Sequence, residues 1–390
     1  MIIKTAFIGL GYRGSQLLRI LQHLNNFKII AIADPAIAKD LPIAGIRYYN
    51  HGNDDYINML NEQRPNLVFI TSPWEYHVQH AMDCIKYNSD IALEIKGGLY
   101  MDEYLPLANL ANKMRRRIFP LENTLFLRET LAMYNLVQAG ILGEIVCLRG
   151  GYRHDLRKLL IDENGNLGYH KKGEGSWRSH YYEKENGDIY PTHGLAPLCY
   201  IAEIGKNDNF KYLVSFSSKS VGLLEYIKMA KGNTNIQISM GDIIITQIRT
   251  AKGILLTLTH DTTLPRPRSL DFEIQGTKGI WQGDRRMIYI ENISPNETWE
   301  SDKKYIRKYE HYYWKYFGNK ALNIDTHHKG MDYIMLKAIE EDLCHRHIYP
   351  ANIHDLMLWT SVTPLSKQSI KKQQTIDIES CINPNNYITK

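Results

Sequence analysis

The chain of 390 residues is long enough for two domains, each with a core of its own. Apolar residues make up 44% of it and charged residues 23%, as is ordinary for a globular protein. The net charge of +5 is small for this length and does not indicate a nucleic-acid partner. No apolar run is long enough to span a bilayer, so we expect no membrane partner either.

Cysteine usage and the first residues indicate a cytoplasmic protein. The five cysteines are odd in number, lie far apart and form no CxxC pair, so neither a disulfide framework nor a zinc ribbon is indicated. Met1 leads directly into an apolar strand, without the basic, apolar and small-residue pattern of a signal peptide. We therefore expect a cytoplasmic location, unless a leader has been removed.

A glycine-rich turn follows the first predicted strand, Ile2–Ile8, and precedes an amphipathic helix. Gly9, Gly11 and Gly14 give it the pattern GxGxxG, and Asp34 stands at the end of the next strand. Glycine is needed because the turn is tight and its backbone must approach a pyrophosphate at the helix N-terminus. An acidic residue after the second strand binds the ribose diol and favours NAD over NADP. The alternative is an ordinary turn without a nucleotide.

Short apolar runs then alternate with helical patterns, which predicts a parallel sheet with helices on both faces. The runs are Lys28–Ala33, Leu67–Thr71, Asp90–Ile95 and Arg117–Leu121. Ligands bind at the carboxyl ends of such strands. The segments found there are Thr71–His77, Glu94–Lys96 and Glu122–Thr124.

From Glu144 onward, strand patterns follow one another without intervening helices, which is typical of an antiparallel sheet. The helical pattern of Phe126–Gly140 bridges into this region, and further helices are expected over Gly194–Ile204 and Asp302–Lys371. We predict an α/β protein with an N-terminal Rossmann domain over residues 1–124. A C-terminal α+β domain with a largely antiparallel sheet would bind the substrate over residues 125–390.

The block Tyr190-Pro191-Thr192-His193-Gly194 precedes an apolar helical run. Thr192 is predicted to be the N-cap, which places His193 in the first helical turn. The positive end of the helix disfavours an imidazolium and keeps a neutral base available. The alternative is a histidine that only bonds a neighbouring loop.

Two other polar blocks follow predicted strands in this second half: Gly151–Arg157, one residue of which could reach the cofactor, and His260–Arg268. Trp177-Arg178 could supply a stacking face and a cation for substrate oxygens. The alternative for Gly151–Arg157 and for Trp177-Arg178 is a solvated loop. His327-His328 and His345–His347 invite a metal site, but no carboxylate or thiol is recognised at ligand spacing, so we predict none.

With these blocks in this order, the chain resembles the glucose-fructose oxidoreductase and inositol dehydrogenase superfamily, and within it glycoside hydrolase family 109. The blocks that carry the resemblance are Gly9–Gly14, Trp74–His77, Glu122-Asn123, Tyr152–Arg157, Trp177-Arg178, Tyr190–Gly194, His260–Thr263 and Gly330–Tyr333. Superfamily dehydrogenases carry Glu-Lys-Pro where this chain has Glu94-Ile95-Lys96. The apolar middle residue matches the hydrolases, and Lys96 is expected to point elsewhere.

The resemblance implies an enzyme that keeps NAD bound and removes terminal N-acetylgalactosamine without net redox change. His193 with Tyr190 would serve the C3 hydroxyl of the sugar, and Tyr152 would be the acid/base near C2. The implied substrate-binding residues are Tyr152, Arg178, Tyr190, Pro191, Thr192, His193 and Arg268. The implied NAD-binding residues are Gly9, Gly11, Tyr12, Arg13, Gly14, Asp34, Trp74, Glu75, Tyr76, His77, Glu94, Ile95, Asn123 and Tyr190.

Two departures bear on the substrate. The family has a tyrosine where this chain has Arg268, and His-Gly-Gly where it has His328-Lys329-Gly330. A cationic Arg268 would favour an acidic or altered sugar. The expected substrate is a sugar, either as a small molecule or at the end of a glycan. A further expectation is that the chain forms a homo-oligomer. The alternatives are an NAD-dependent sugar dehydrogenase and a sugar-binding protein in which Arg268 blocks turnover.

Overall fold

The computed structural model describes residues 1–36, 45–96, 101–170 and 174–378. The chain forms two compact units. The first comprises Met1–Phe126 and Tyr312–Met357, and the second comprises Leu127–His311 and the chain from Leu358 onward.

The first unit begins as an alternation of strands and helices. The strands are β1 (Ile3–Ile8), β2 (Phe27–Ala33), β3 (Arg47–Tyr49), β4 (Leu67–Ile70), β5 (Asp90–Leu93) and β6 (Ile118–Pro120). The helices are α1 (Tyr12–Leu21), α2 (Asp55–Gln63), α3 (His77–Lys86) and α4 (Met101–Met114). Among the described residues the strands form one parallel sheet in the order β3-β2-β1-β4-β5-β6. All four residues of β4 and of β5 are buried, because a central parallel strand is covered on both faces.

The second unit contains a nine-stranded sheet within the described chain. Its strands are β7 (Ile145–Arg153), β8 (Phe210–Ser217), β9 (Ile243–Thr250), β10 (Leu255–Asp261), β11 (Glu273–Gly276), β12 (Gly279–Gln282), β13 (Met287–Ile290), β14 (Glu300–Ser301) and β15 (Ile376–Asp377). Its helices are α5 (Arg128–Gln138), α6 (Arg157–Leu160), α7 (Glu174–Lys184), α8 (Thr192–Ile201), α9 (Gly222–Met229) and α10 (Lys303–Lys308).

This sheet has the order β14-β13-β12-β11-β7-β10-β9-β8-β15 and is antiparallel except for the central pair β7 and β10. The parallel pair brings two strand ends together, with Tyr152 opposite His260. Buried residues alternate with more exposed ones along β9, as expected for a sheet covered on one face.

The chain then returns to the first unit through α11 (Tyr312–Ile324) and α12 (Met331–Leu343). The long helix α13 (Ile353–Lys372) starts in that unit and continues into the second. The sequence-based division at residue 124 lies close to the end of the first stretch at Phe126, but it assigned the returning segment to the second domain. A helical pattern shows that a helix forms but not which sheet it packs against, so the return was not predicted. That a dinucleotide binds over 1–124 and a substrate over 125–390 stays a prediction.

The predicted fold class is confirmed: a Rossmann-type parallel sheet is followed by an α+β unit with a mostly antiparallel sheet. Cys84, Cys147 and Cys344 are free thiols, whereas Cys381 lies outside the described residues. None of the helices in the described ranges is long and apolar enough to cross a membrane.

Candidate functional site

The glycine-rich turn between β1 and α1 has three glycines with three different surroundings. Gly9 has a φ of +88°, and a Cβ there would lie 2.7 Å from the backbone nitrogen of Ser72. A Cβ at Gly14 would lie 2.5 Å from the carbonyl oxygen of Gly9. A Cβ at Gly11, by contrast, would meet nothing within 4 Å. Gly9 therefore makes the tight turn, Gly14 allows close packing, and Gly11 leaves open backbone at the helix N-terminus, as a pyrophosphate requires.

Asp34, at the end of β2, lies against this turn. Its Oδ2 accepts a hydrogen bond from the backbone N–H of Leu10 at 2.6 Å, and its Oδ1 accepts one from Ala36 at 2.8 Å. The carboxylate is half-buried beside the open Gly11. The arrangement fits a dinucleotide whose ribose lies next to the pyrophosphate.

Arg13, in the first turn of α1, is held by two carboxylates from distant segments. Its Nε donates to Glu94 Oε2 at 2.8 Å, and its two terminal nitrogens donate to Asp332 at 2.5 and 2.9 Å. Asn123 donates to the same carboxylate at 2.9 Å. The predicted residues Arg13, Glu94 and Asn123 thus meet, and Asp332 on α12 joins them.

The buried charges of this group stabilise one another. Burial by itself would raise the pKa of Asp332, but the Arg13 guanidinium and a bond from His328 lower it well below its usual range. Burial by itself would lower the pKa of Arg13, and the two carboxylates raise it well above normal. Burial dominates at Glu94 and raises its pKa despite Arg13. Arg13 and Asp332 are therefore a charged pair.

Carboxylates do flank His328 at ligand spacing, so the reason given for rejecting a metal there was wrong. Asp325 and Asp332 lie three residues before and four after it, and among the described residues these three could hold an ion. Asp332 is bonded to Arg13, however, and Asp325 accepts the backbone N–H groups of His328 and Asp332 at 3.0 and 2.9 Å. The three side chains come together at the start of helix α12, and the sequence alone did not show where that helix begins. The prediction of no metal stays a prediction.

The block Trp74–His77 contributes two buried side chains and two exposed ones. Trp74 donates its indole N–H to the carbonyl of Ile95 at 3.0 Å, and His77 bonds the carbonyl of Ser72 at 2.6 Å. Burial lowers the pKa of His77 to about 4. Glu75 and Tyr76 are exposed. Trp74 and His77 therefore shape the strand-end backbone of this unit.

Tyr12 is 62% exposed and bonds His327 through its hydroxyl, while Ile95 is buried. Lys96 is only 2% exposed, and its Nζ lies over the Trp74 ring at 5.3 Å from the ring centre. Its side chain thus packs on the neighbouring strand-end segment.

In the second unit, β7 and α8 approach through glycines. A Cβ on Gly150 would lie 2.1 Å from the carbonyl oxygen of Gly194, and one on Gly194 would lie 2.3 Å from the backbone nitrogen of Gly151. The first turn of α8 therefore rests directly on the backbone of β7. This contact places His193 beside Tyr152, just beyond the glycine pair.

Tyr152, Tyr190 and His193 form one cluster of rings. The ring centres of Tyr152 and Tyr190 are 4.6 Å apart, and that of His193 lies 5.6 Å from Tyr152 and 4.8 Å from Tyr190. The Tyr190 hydroxyl lies 3.5 Å from His193 Nε2. The three predicted catalytic residues are thus adjacent, and the Tyr190 hydroxyl lies at the outer limit of hydrogen-bond distance from His193.

Helix α8 starts one residue earlier than predicted. Pro191 is the N-cap and Thr192 is the first helical residue, because the carbonyl of Pro191 accepts the N–H groups of Gly194 and Leu195 at 3.2 and 3.0 Å. The Thr192 hydroxyl is buried and has no hydrogen-bond partner among the described residues. His193 is nevertheless in the first turn, as predicted.

Two further buried groups border the cluster. The Arg178 guanidinium is centred 5.2 Å over the Tyr190 ring and 5.3 Å over the Trp177 ring. His260, which sequence reasoning gave no role, has its ring centre 6.4 Å from that of Tyr152. Arg178 thus places a cation beside Tyr190, and its substrate role stays a prediction.

Arg268 lies on an exposed part of the loop after β10. The next residue, Ser269, pairs with Arg153 at the end of β7. Within the described part of the chain Arg268 forms no hydrogen bond or ion pair, unlike Arg266, which pairs with Asp261.

Sequence reasoning missed Asp332 and the glycine pair Gly150-Gly151 as parts of the site. Asp332 lies in the block Gly330–Tyr333, which supported the resemblance but was given no role in the site. Its i,i+4 relation to His328 was the available signal. Two glycines inside a strand indicate close approach by another backbone, which would have identified the contact with α8.

Comparison with known proteins supports these assignments of fold and class. The family model described as glycosyl hydrolase 109, C-terminal domain, matches residues 126–379, and that of the oxidoreductase family with an NAD-binding Rossmann fold matches residues 3–95. A glycosyl hydrolase family 109 protein of Stenotrophomonas maltophilia is 31% identical over 402 residues, covering 96% of this chain and 88% of the relative. An alpha-N-acetylgalactosaminidase of Tannerella forsythia is 30% identical over 397 residues, covering 95% and 84%.

Solved structures share the fold. A probable dehydrogenase from Thermotoga maritima superposes with a TM-score of 0.68 at 14% identity, covering 97% of this chain and 99% of that one. The WlbA dehydrogenase from Bordetella pertussis, solved with NADH and UDP-GlcNAcA, superposes with a TM-score of 0.68 at 13% identity, covering 96% and 97%. The predicted resemblance, glycoside hydrolase class and NAD cofactor are confirmed. The chain belongs to glycosyl hydrolase family 109 and is an NAD-dependent glycoside hydrolase.

Proposed function

We propose that this enzyme hydrolyses terminal N-acetylgalactosamine-type glycosides with retention of the anomeric configuration, by oxidation, elimination, addition and reduction within the sugar. The observation that carries the proposal is the cluster of Tyr152, Tyr190 and His193 inside the family domain. Relatives from Tannerella forsythia and Shewanella oneidensis named alpha-N-acetylgalactosaminidase support the choice of sugar.

The residues of the glycine-rich turn fit the cofactor. The open backbone at Gly11 would take the pyrophosphate, and Asp34 would take the ribose diol. NAD held there would supply a hydride acceptor, and later a hydride donor, for C3 of the sugar.

His193 with Tyr190 serves the C3 hydroxyl in this proposal. The proton of that hydroxyl must leave as the C3 hydride leaves. The His193 imidazole can accept this proton and share it with the Tyr190 hydroxyl, 3.5 Å away. When C3 is reduced again, the same pair returns the proton to O3. Arg178, whose guanidinium lies 5.2 Å over the Tyr190 ring, would help to hold the sugar.

Tyr152 serves C2. A ketone at C3 acidifies the hydrogen on C2, so a base can remove it as a proton while the C1 leaving group departs with its bonding electrons. Water then adds to C1 of the resulting double bond, and a proton returns to C2. No pair of carboxylates at glycosidase separation is needed for this route.

Arg268 is proposed to alter the choice of sugar. It replaces a tyrosine of the family pattern with an exposed cation that is not neutralised by any described residue. An acidic substituent on the sugar would supply the missing counter-charge. A glycoside panel should therefore include acidic analogues.

The test is a panel of chromogenic glycosides assayed without added NAD. Hydrolysis of the N-acetylgalactosaminide or an acidic analogue, with no NADH accumulating, supports the proposal. NADH accumulating in proportion to product would show a sugar dehydrogenase instead. Tight binding without product would show a sugar-binding protein.

A further inference from the structure

Asp332 belongs to helix α12, in the segment that rejoins the Rossmann unit after the intervening residues Leu127–His311. Both of its oxygens face Arg13, at 2.5 and 2.9 Å, and the third nitrogen of that guanidinium bonds Glu94 at 2.8 Å. We call the trio Glu94, Arg13 and Asp332 the clasp. It joins the first turn of α1, the end of β5 and the start of α12.

In the clasp, each of the three guanidinium nitrogens of Arg13 donates a hydrogen bond to a carboxylate. A bidentate pair with one carboxylate and a third bond to another fix the guanidinium in plane and in position. His328 bonds Asp332 Oδ2 at 2.6 Å and Asn123 bonds Oδ1 at 2.9 Å, so the carboxylate itself cannot rotate away. Asp332 is fully buried, which strengthens each of these charge-assisted bonds.

Arg13 is the second residue of α1 and follows Gly11 by two positions. The N–H groups of this first turn are those that bind a pyrophosphate, and Gly11 provides no side-chain cap for them. A fixed Arg13 side chain therefore fixes the orientation of the anion-binding amides. Preorganised amides bind more tightly because no ordering cost remains when the ligand arrives.

We propose that Asp332 is a positioning residue for NAD: through Arg13 it holds the first turn of α1 in its nucleotide-binding geometry and so sets how tightly NAD is retained. Asp332 touches Arg13 and not the nucleotide in this account. The inference concerns the cofactor and does not depend on which sugar is cleaved.

The experiment measures NADH binding by fluorescence on the nucleotide-stripped full-length protein. Asp332→Asn, which removes the charge but keeps the shape, should weaken NADH binding by about tenfold, as expected for loss of a charge-assisted bond. The matched control is Glu341→Gln on the same helix, where a buried carboxylate pairs with Lys337 and Arg346 instead. It should change NADH binding by less than about twofold.

Two further variants separate positioning from general loss of stability. His328→Gln removes one partner of Asp332 and leaves the Arg13 pair intact, so it should weaken NADH binding by only about two- to threefold. Arg13→Gln combined with Asp332→Asn should bind NADH no more weakly than the worse single variant, because each removes the same contact.

The proposal is overturned if Asp332→Asn binds NADH within twofold of wild type, or loses no more than Glu341→Gln at a matched fall in melting temperature. Additive losses in the double variant would overturn it as well. If the wild-type protein hydrolyses no glycoside but Asp332→Asn still binds NADH tenfold more weakly, the proposed function is refuted and the inference about Asp332 stands.

Discussion

Gly150 and Gly194 lie so close that a Cβ on the first would come within 2.1 Å of the carbonyl oxygen of the second. This contact seats the start of α8 on β7 and brings His193 to 5.6 Å from Tyr152, measured between ring centres. The proposed catalytic cluster therefore depends on two residues that carry no side chain.

Gly194→Ala should displace α8 from β7. The added methyl group would lie 2.3 Å from the Gly151 nitrogen, a backbone atom that cannot move alone, so we expect a loss of about 1–3 kcal/mol in stability. Glycosidase activity should fall further than this loss of folded protein explains. Gly253→Ala strains a turn with a φ of +99° but brings no atom closer than 3.8 Å to the Cβ, so it is a control that lowers stability and should leave the activity of the folded protein unchanged. Full activity in folded Gly194→Ala would contradict the account.

Gly11→Ala and Gly14→Ala should separate nucleotide binding from folding. The first adds a methyl group to open space, so the stripped protein should melt as wild type does while NADH binding weakens by tenfold or more, by about 1.4 kcal/mol per decade. The second places a methyl group 2.5 Å from the Gly9 carbonyl and should lower the melting temperature of the stripped protein. Thermal melts and NADH titrations check both. Wild-type NADH affinity in Gly11→Ala would place the pyrophosphate elsewhere.

The sequence predicted the first sheet and its ligand edge because each signal there is local. The glycine turn, the run Leu67–Thr71 and the acidic Asp34 sit within a few residues of the elements that they define. It did not predict Asp332 in the same site, since Asp332 and Arg13 are 319 positions apart and only folding brings them together. The three-residue strand Arg47–Tyr49 was missed because so short a run carries no periodicity.

In the second unit the sequence predicted adjacency of Tyr190 and His193, which are three residues apart in one chain segment. Their meeting with Tyr152 came from the resemblance, because a strand and a helix can pack in many registers. The parallel pairing of β7 with β10 was not predicted, since consecutive strands favour antiparallel neighbours.

Tyr152→Phe and His193→Ala should block different steps. Without the Tyr152 hydroxyl the C2 proton cannot be removed, so hydrolysis should fall by roughly 10²–10⁴-fold while the C3 hydride still transfers in a single turnover. Without His193 both should fall. NADH absorbance in single-turnover mixing separates the two, with Tyr200→Phe at the far end of α8 as the control. Wild-type hydrolysis in either variant would remove that residue from the mechanism.

The stability of the Rossmann unit should fall in acid because of His77. Burial lowers its pKa to about 4 in the folded protein, against an ordinary value of 6.5, so the unfolded chain binds the proton more readily. The stabilisation by neutral His77 is thus present above pH 6.5 and is lost as the pH falls toward 4, by roughly 2 kcal/mol between pH 7 and 5.

Thermal melts of the stripped protein at pH 7 and pH 5 measure this loss. The difference should shrink in His77→Gln, which can keep a bond to the Ser72 carbonyl, and should persist in His354→Gln, where the ring is exposed. An unchanged difference in His77→Gln would assign the acid sensitivity to other groups.

The central claim is that the glycoside is cleaved through loss of the C2 proton, and hydrolysis in deuterated water tests it most directly. The enzyme is given its best chromogenic substrate without added NAD, and the released sugar is analysed by mass and by NMR. The account predicts one deuterium at C2 and the original hydrogen at C3. Released sugar with no deuterium at C2 would contradict it, whatever the rate of hydrolysis.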